Sequence, residues 1–264
     1  MDHRHAKLAI LLLSETVISD EESINGRIAS YILNHFREIS QLSIRELAYR
    51  MFVSTSSISR FCREIGLTDY SELKVLLASN AYNQEILSLS KDPVQQKKDY
   101  FHAVMENLRM TEESVDIAKL YMLARDIRAY EHVALFGPLK ASSAAMSLQA
   151  DLAALGKTTV SKIRLSRQWE YMSTAGKDTL IVIFSMTGVY FDYNVPAGYR
   201  QDPDNCPKVY FITNGIGRDL GKLYDEIIYF RSNRDVTSHP FQLEMIAGLI
   251  TQCYTHLLLE PGNN

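Results

Sequence analysis

The chain is poor in cysteine: three in 264 residues, at positions 62, 206 and 253. No two stand as a CxxC pair, and no Cys/His cluster has zinc-ligand spacing. That excludes a disulfide framework and leaves no metal centre legible in the sequence, so buried thiols in a reducing cytosol are the expectation. Long apolar runs are missing too. The longest early one, residues 8–13, is far below the roughly 20 residues that a bilayer span needs, and it lacks a cleavage site of signal-peptide type. The final apolar stretch, 241–259, is interrupted by Gln242, Glu244, Gln252 and His256, which suits a core helix. A soluble, cytoplasmic protein without a membrane partner is expected. Excess positive charge is also lacking, since 28 Lys and Arg against 31 Asp and Glu give a net charge of −3. A uniformly basic coat is excluded, but a small basic face on one domain is not, because an acidic neighbour hides it in the sum.

What is present is apolar residue, 46% of the chain, enough for one large core or two modest ones. The first 80 or so residues carry helical periodicity only. Ser23 is placed to cap a helix whose apolar positions Ile24, Ile28, Ile32 and Phe36 recur every fourth residue. Ser43-Ile44-Arg45-Glu46 reads as a capping box opening a short helix through about Arg50. Ser54 is placed to cap the next helix, which runs to Ile65 and is stopped by Gly66. Ser71 opens a fourth, with Leu73, Leu76 and Leu77 on one face. A polar stretch with Pro93, residues 88–99, reads as a linker, followed by helices near 100–111 and 114–129. From His132 the texture changes. Apolar, β-rich runs at 132–136, 179–184, 209–212 and 227–230 alternate with helix-length segments, the pattern of a parallel sheet buried on both faces.

The stretch 42–66 has the mechanics of two helices meeting across a tight turn. Leu47 and small Ala48 give the first helix an apolar side, Met51-Phe52-Val53 makes the connection, and Ile58, Phe61 and Ile65 anchor the second. That leaves Thr55, Ser56, Ser57, Ser59, Arg60 and Arg63 outward. Short hydroxyls at a helix N-terminus suit phosphates or base edges, and an arginine such as Arg60 suits a bidentate contact to guanine. Ser43, Arg45, Arg50, Ser54 and Lys74 stand near enough to add phosphate contacts. The competing reading is a protein-interaction bundle with a solvated Ser/Arg face.

Here the sequence resembles a known family. The residues Ser43-Ile44, Glu46-Leu47-Ala48, Val53-Ser54, Ser57-Ile58-Ser59-Arg60-Phe61-Cys62-Arg63, Gly66 and Glu72-Leu73-Lys74 look like the N-terminal domain of RpiR-type transcriptional regulators. The resemblance implies a bacterial regulator, a homo-oligomer, dimer or tetramer, on a double-stranded DNA operator that is an inverted repeat. It also implies a sugar isomerase (SIS) domain behind the linker, over roughly residues 114–260, which dimerises and senses a phosphorylated sugar. In that domain a Gly-x-Gly-x-Ser turn after the first strand opens a helix whose N-terminus holds the phosphate. The matching stretch is Gly137-Pro138-Leu139-Lys140-Ala141, with Ser142 and Ser143 just beyond. Leu139 stands for the second glycine and Ala141 for the serine. A second element, Ser-x-Ser-Gly-x-Thr after the third strand, becomes Ser185-Met186-Thr187-Gly188-Val189-Tyr190.

Two donors are thereby lost and a leucine crowds a place where backbone approaches ligand. A modified effector pocket and one that has lost phosphosugar binding both stay open. Candidate ligand residues are Gly137, Lys140, Ser142, Ser143, Ser185, Thr187, Gly188, Tyr190 and His239. For Lys140 the alternative is a solvated loop lysine. For His239, in Thr237-Ser238-His239-Pro240, it is a helix start with proline in the first turn. Trp169, with Tyr171 and Met172, reads as packing.

The expected fold is therefore two domains. An all-α helix-turn-helix bundle (1–85) is followed by a linker and connecting helix (86–112) and then an α/β SIS-like domain (113–264) whose parallel sheet has helices on both faces. No cofactor, metal or catalytic residue is assigned. The alternatives to a regulator are a sugar-phosphate isomerase with an accessory helical domain and a module that binds protein alone.

Overall fold

The structure, a computed structural model, describes residues 3–18, 23–78, 92–192, 195, 199–200, 202–215, 223–233 and 239–260. The chain forms two compact units: residues 1–83 with 163–170 and 192–194, and the remainder.

The first unit is built from α1 (His3–Ile18), α2 (Ile24–Asn34), α3 (Phe36–Ile39), α4 (Ile44–Met51), α5 (Thr55–Glu64) and α6 (Tyr70–Ala78). The helix starts follow the short polar residues. Ser23 Oγ accepts the N–H of Gly26 at 3.0 Å. Ser43 and Glu46 form the full capping box, with Glu46 N–H donating to Ser43 Oγ at 3.2 Å and Ser43 N–H to Glu46 Oε2 at 2.7 Å. The hydrogen bond from Ser43 holds the Glu46 carboxyl below its ordinary pKa. Two expectations change. The α2 pattern ends at Asn34, so Phe36 belongs to a separate turn, and Ile24 is 40% exposed. A residue in the first turn of a helix can point past the core that Ile28 and Ile32 enter. The last helix begins at Tyr70, not Ser71, because Asp69 Oδ1 takes the N–H of Glu72 at 3.0 Å. Ile28, Ile32, Leu47, Ile58, Phe61 and Leu73 are fully buried and make the core.

The second unit opens with α7 (Pro93–Ser114), capped by Asp92 with Pro93 in its first turn. Residues 93–99 are thus helical where a polar linker was expected. The proline fits because the first helical N–H has no partner to lose. Inside the unit α7 is tied to the last helix, α11 (His239–Leu259), through buried Gln242. Its Nε2 donates to Asn107 O at 2.8 Å and to Thr111 Oγ1 at 2.7 Å. Between them, among the described residues, lie α8 (Ile117–Ala129), α9 (Lys140–Ala154), the end of α10 (Leu165–Thr174, whose residues up to 170 belong to the first unit) and five strands: β1 (His132–Phe136), β2 (Val160–Ser161), β3 (Thr179–Phe184), β4 (Lys208–Thr213) and β5 (Glu226–Tyr229).

All strand pairings are parallel, in the order β2-β1-β3-β4-β5. All four expected strands are present within a residue of their expected ends. The short β2, with one apolar residue, escaped the pattern. One face packs Val133, Leu135, Leu180, Val182 and Ile212 against α8, α9 and α11. The other holds Phe136 edge-on to Tyr171 of α10 at 5.6 Å, and Phe211 beside Phe191 at 5.0 Å. Met172 is buried, as a packing residue is. Among the described residues, no helix is long and apolar enough to cross a membrane.

Replacing Ser54 by Ala removes the acceptor that takes the N–H of Ser57 at 3.0 Å. Urea unfolding followed by helix signal should show the first unit's transition weakened by about 1 kcal/mol. An unchanged midpoint would mean that water replaces the cap at no cost.

Candidate nucleic-acid interface and ligand crevice

Helices α4 and α5 meet across the three residues Phe52, Val53 and Ser54. Met51, expected in the connection, is the last helical residue and is buried. Phe52 turns the chain with φ 54°, in the left-handed region, and Val53 N–H closes back on Ala48 O at 3.0 Å. Ser54 then caps α5. Ile58, Phe61 and Cys62 face the core, and burial pushes the Cys62 thiol up to about 12, an inert packing group.

The outward face is the expected one. Thr55, Ser56, Arg60 and Arg63 are exposed, while Ser57 and Ser59 are half-buried. The Arg60 side chain is 57% exposed, with Nε 3.7 Å from Glu64 Oε1, a solvated pairing that is easily exchanged. Arg45 is exposed and Lys74 half-buried. Ser43 and Ser54 have a structural task as caps at the two helix starts, where their hydroxyls sit beside free backbone donors. Sequence reasoning missed the exposed aromatics Tyr49 (81%) and Phe52 (89%). Only the left-handed turn reveals that Phe52 points away from the core.

In the second unit, strand order reverses between β1 and β3. Open parallel sheets place ligand crevices at such a point, outside the carboxyl ends of the strands. The two stretches singled out in sequence leave β1 and β3 at that edge. A Cβ on Gly137 would lie 2.9 Å from Phe184 O and 2.8 Å from Ala141 C, so only glycine lets the β1 turn lie against the end of β3. The turn after β3 lies in turn against the one after β4. A Cβ on Gly215 would stand 2.6 Å from Thr187 O, and Gly188 has φ 77°. Asn214 N–H donates to Met186 O at 3.2 Å.

Each candidate has a distinct situation there. Leu139 takes φ 44°, ψ −115° and Ala141 N–H bonds Pro138 O at 3.0 Å, the geometry of a type II′ turn that asks for glycine at its first central position. Ser142 Oγ donates to Leu139 O at 2.5 Å and Ser143 Oγ to Lys140 O at 2.7 Å, so both protons are committed to the helix itself. Lys140 is exposed at the first turn of α9, Thr187 is exposed, and Ser185 is buried. Tyr190 is wholly enclosed, its hydroxyl 3.5 Å from Met172 Sδ, and burial drives its pKa well above the ordinary value. It packs like a core residue. His239 is the first residue of α11, and its side chain lies outside the described residues. Among the described residues no three of His, Cys, Asp and Glu are grouped as a metal ion would need.

Residues 18–84 match the family described as helix-turn-helix domain, rpiR family. This part of the chain is an rpiR-family helix-turn-helix domain. A 59-residue stretch is 43% identical to an uncharacterized HTH-type transcriptional regulator of Caldanaerobacter subterraneus, covering 22% of this chain and 21% of that one. The match to this curated relative therefore spans about a fifth of its length. The NanR protein of Vibrio vulnificus, whose structure is of a complex with ManNAc-6P, is 19% identical, with TM-score 0.52, over 95% of this chain and 92% of that one. The sugar isomerase domain of an RpiR transcription factor from Sphaerobacter thermophilus is 16% identical, with TM-score 0.50, over 62% of this chain and 91% of that one. At such identities the likeness is one of fold: the rpiR-family domain is followed by a sugar-isomerase (SIS) fold.

Among the described residues, Leu139 is one of three non-glycine residues at positive φ, with Phe52 and Arg200. Non-glycine residues in such regions are strained by roughly 1–3 kcal/mol, against roughly 0.5–1 kcal/mol of extra chain entropy for glycine. The Leu139→Gly protein should therefore be more stable by about 1 kcal/mol, read as a melting temperature a few degrees higher. A lower melting temperature would mean that the half-buried leucine side chain contributes more than its backbone costs.

Proposed function

We propose that the protein is a DNA-binding transcription regulator rather than an enzyme, with α5 entering the major groove and the SIS-fold unit binding a small-molecule effector. The observation that carries the reading is the α4–turn–α5 pair. A three-residue connection sets α5 with its apolar side buried and its Ser/Thr/Arg side open, which is the arrangement a recognition helix needs. The rpiR-family match over the same residues and the regulator names of relatives support it. Two copies of the chain pairing about a two-fold axis would present two α5 helices about 34 Å apart, one turn of an inverted-repeat operator. The cytoplasm is the compartment such a protein works in.

The effector class that fits is a phosphorylated sugar. NanR, alike in fold along nearly the whole chain, is seen with ManNAc-6P. Lys140 brings a cation to the start of α9, whose N-terminus favours an anion, and Thr187 brings a free-facing hydroxyl from the neighbouring turn. Ser142 and Ser143 would serve only as acceptors while their protons stay with the helix. The phosphate is then held chiefly by charge and backbone.

A duplex selected from random sequence and titrated in a gel-shift assay tests the DNA reading. Arg60→Ala should weaken binding to the selected sequence by about 1–3 kcal/mol and hardly change binding to random duplex. Equal affinity for the selected site would remove Arg60 from base reading. For the effector, a thermal-shift screen of sugar phosphates should find one that raises the melting temperature, since a ligand at 100 times its Kd adds about 2.7 kcal/mol. Lys140→Gln should lose most of that rise, and a rise retained in full would place the phosphate elsewhere.

A further inference from the structure

The N-terminal unit holds a cleft that the helix-turn-helix reading does not use. It has a volume of about 650 Å³ and lies between the outer side of α2, the end of α1 and the end of α4. Among the described residues its lining includes Arg27, Ser30, Asn34, His35, Arg50 and Phe52 and holds no carboxylate. Two guanidinium groups, two neutral donors and an imidazole make a wall that suits an anion, and Phe52 gives it an apolar rim. Arg27 Nη2 donates to Met51 O at a long 3.4 Å, which aims the side chain at the end of α4 and leaves its other N–H groups available. Arg50 Nη1 meets Glu38 Oε2 at 3.0 Å, a pairing 43% and 61% exposed that a stronger anion displaces readily.

Position decides which anion. Phe52 stands three residues before Thr55, the first residue of α5, so the rim lies within about 11 Å of the recognition helix N-terminus even for extended chain. The major groove is about 12 Å wide. A helix end seated in it has a sugar-phosphate strand within that reach on either side. Phe52 also needs an explanation of its own: the chain keeps a large aromatic 89% exposed in a left-handed turn where glycine or asparagine is easier. A deoxyribose ring offers the apolar surface, next to a phosphate, that such a side chain can cover.

We infer that this cleft seats the phosphodiester backbone of the duplex, with Arg27 and Arg50 pairing with phosphate and Phe52 packing on the adjoining sugar. The inference rests on α5 being the helix that enters DNA. The contact is independent of sequence, so it adds affinity and register without reading bases.

The test uses the full chain and a random-sequence duplex of about 30 base pairs, with fluorescence anisotropy between about 50 and 200 mM salt. Arg27→Gln should weaken binding about fivefold at low salt and reduce the slope of log affinity against log salt by about 0.9, one phosphate contact. Arg27→Lys, which keeps the charge, should restore most of that slope. Phe52→Asn suits the left-handed turn better, so its melting temperature should hold or rise while duplex affinity falls about threefold. A purely structural role for Phe52 would lower both, and no role would change neither. Wild-type affinity and slope in both Arg27→Gln and Phe52→Asn overturn the inference. So does a Phe52→Asn protein that binds duplex normally but changes molar mass in light scattering, which would make the rim a self-association surface. If the unaltered protein binds no duplex, the DNA reading itself fails and the cleft falls with it. If it binds and Arg60→Ala weakens the selected site while the cleft variants do not, only the cleft is wrong.

Discussion

Everything in the second unit depends on β3 being buried on both faces. All six of its residues are enclosed, which is possible only for a strand in the middle of a parallel sheet covered by elements above and below. Because β3 pairs with β1 on one side and β4 on the other, the turns leaving those three strands must emerge together at one edge. Close backbone contact at Gly137 and Gly215 then fixes their spacing. The meeting of these turns is a by-product of that burial: no side chain had to be placed there to make it.

The first unit obeys a different constraint. Its helices are short, between four and sixteen residues, too short to be stable alone in water. Capping residues therefore set their ends and a small shared core sets their angles. Ser43, Ser54 and Asp69 are cap residues first, and the exposed face of α5 is what remains after Ile58, Phe61 and Cys62 have been buried. The hydroxyl- and arginine-rich face proposed to meet DNA is thus what packing leaves over, and it is concentrated where the helix N-terminus supplies free backbone donors as well.

Each unit stores strain at a turn that leads into a helix. Phe52 and Leu139 both hold non-glycine side chains at positive φ. One flanks the turn before α5, the other the turn before α9. In both places the chain keeps a bulky apolar group where the backbone alone would choose glycine, and surrounding structure must hold it there.

Local pattern was enough for the caps at Ser23, Ser43 and Ser54, the core face of α5, and four of the five described strands. These depend on local periodicity and on side chains within a turn of one another. It did not determine that α7 begins at Pro93, because a proline reads as a breaker until its place in a first turn is known. The two-residue β2 was too short for any period. Strand order, and with it the meeting of the 137–143 and 185–190 stretches at one edge, was decided by tertiary structure alone, since adjacent strands need not be consecutive. The same holds for the fate of individual hydroxyls. Ser142, Ser143 and Tyr190 stood alike among the candidate ligand residues until the fold set the first two hydroxyls against the carbonyls of Leu139 and Lys140 and the third beside Met172. A side chain's type is written in the sequence, but which partner it reaches is a matter of three-dimensional distance.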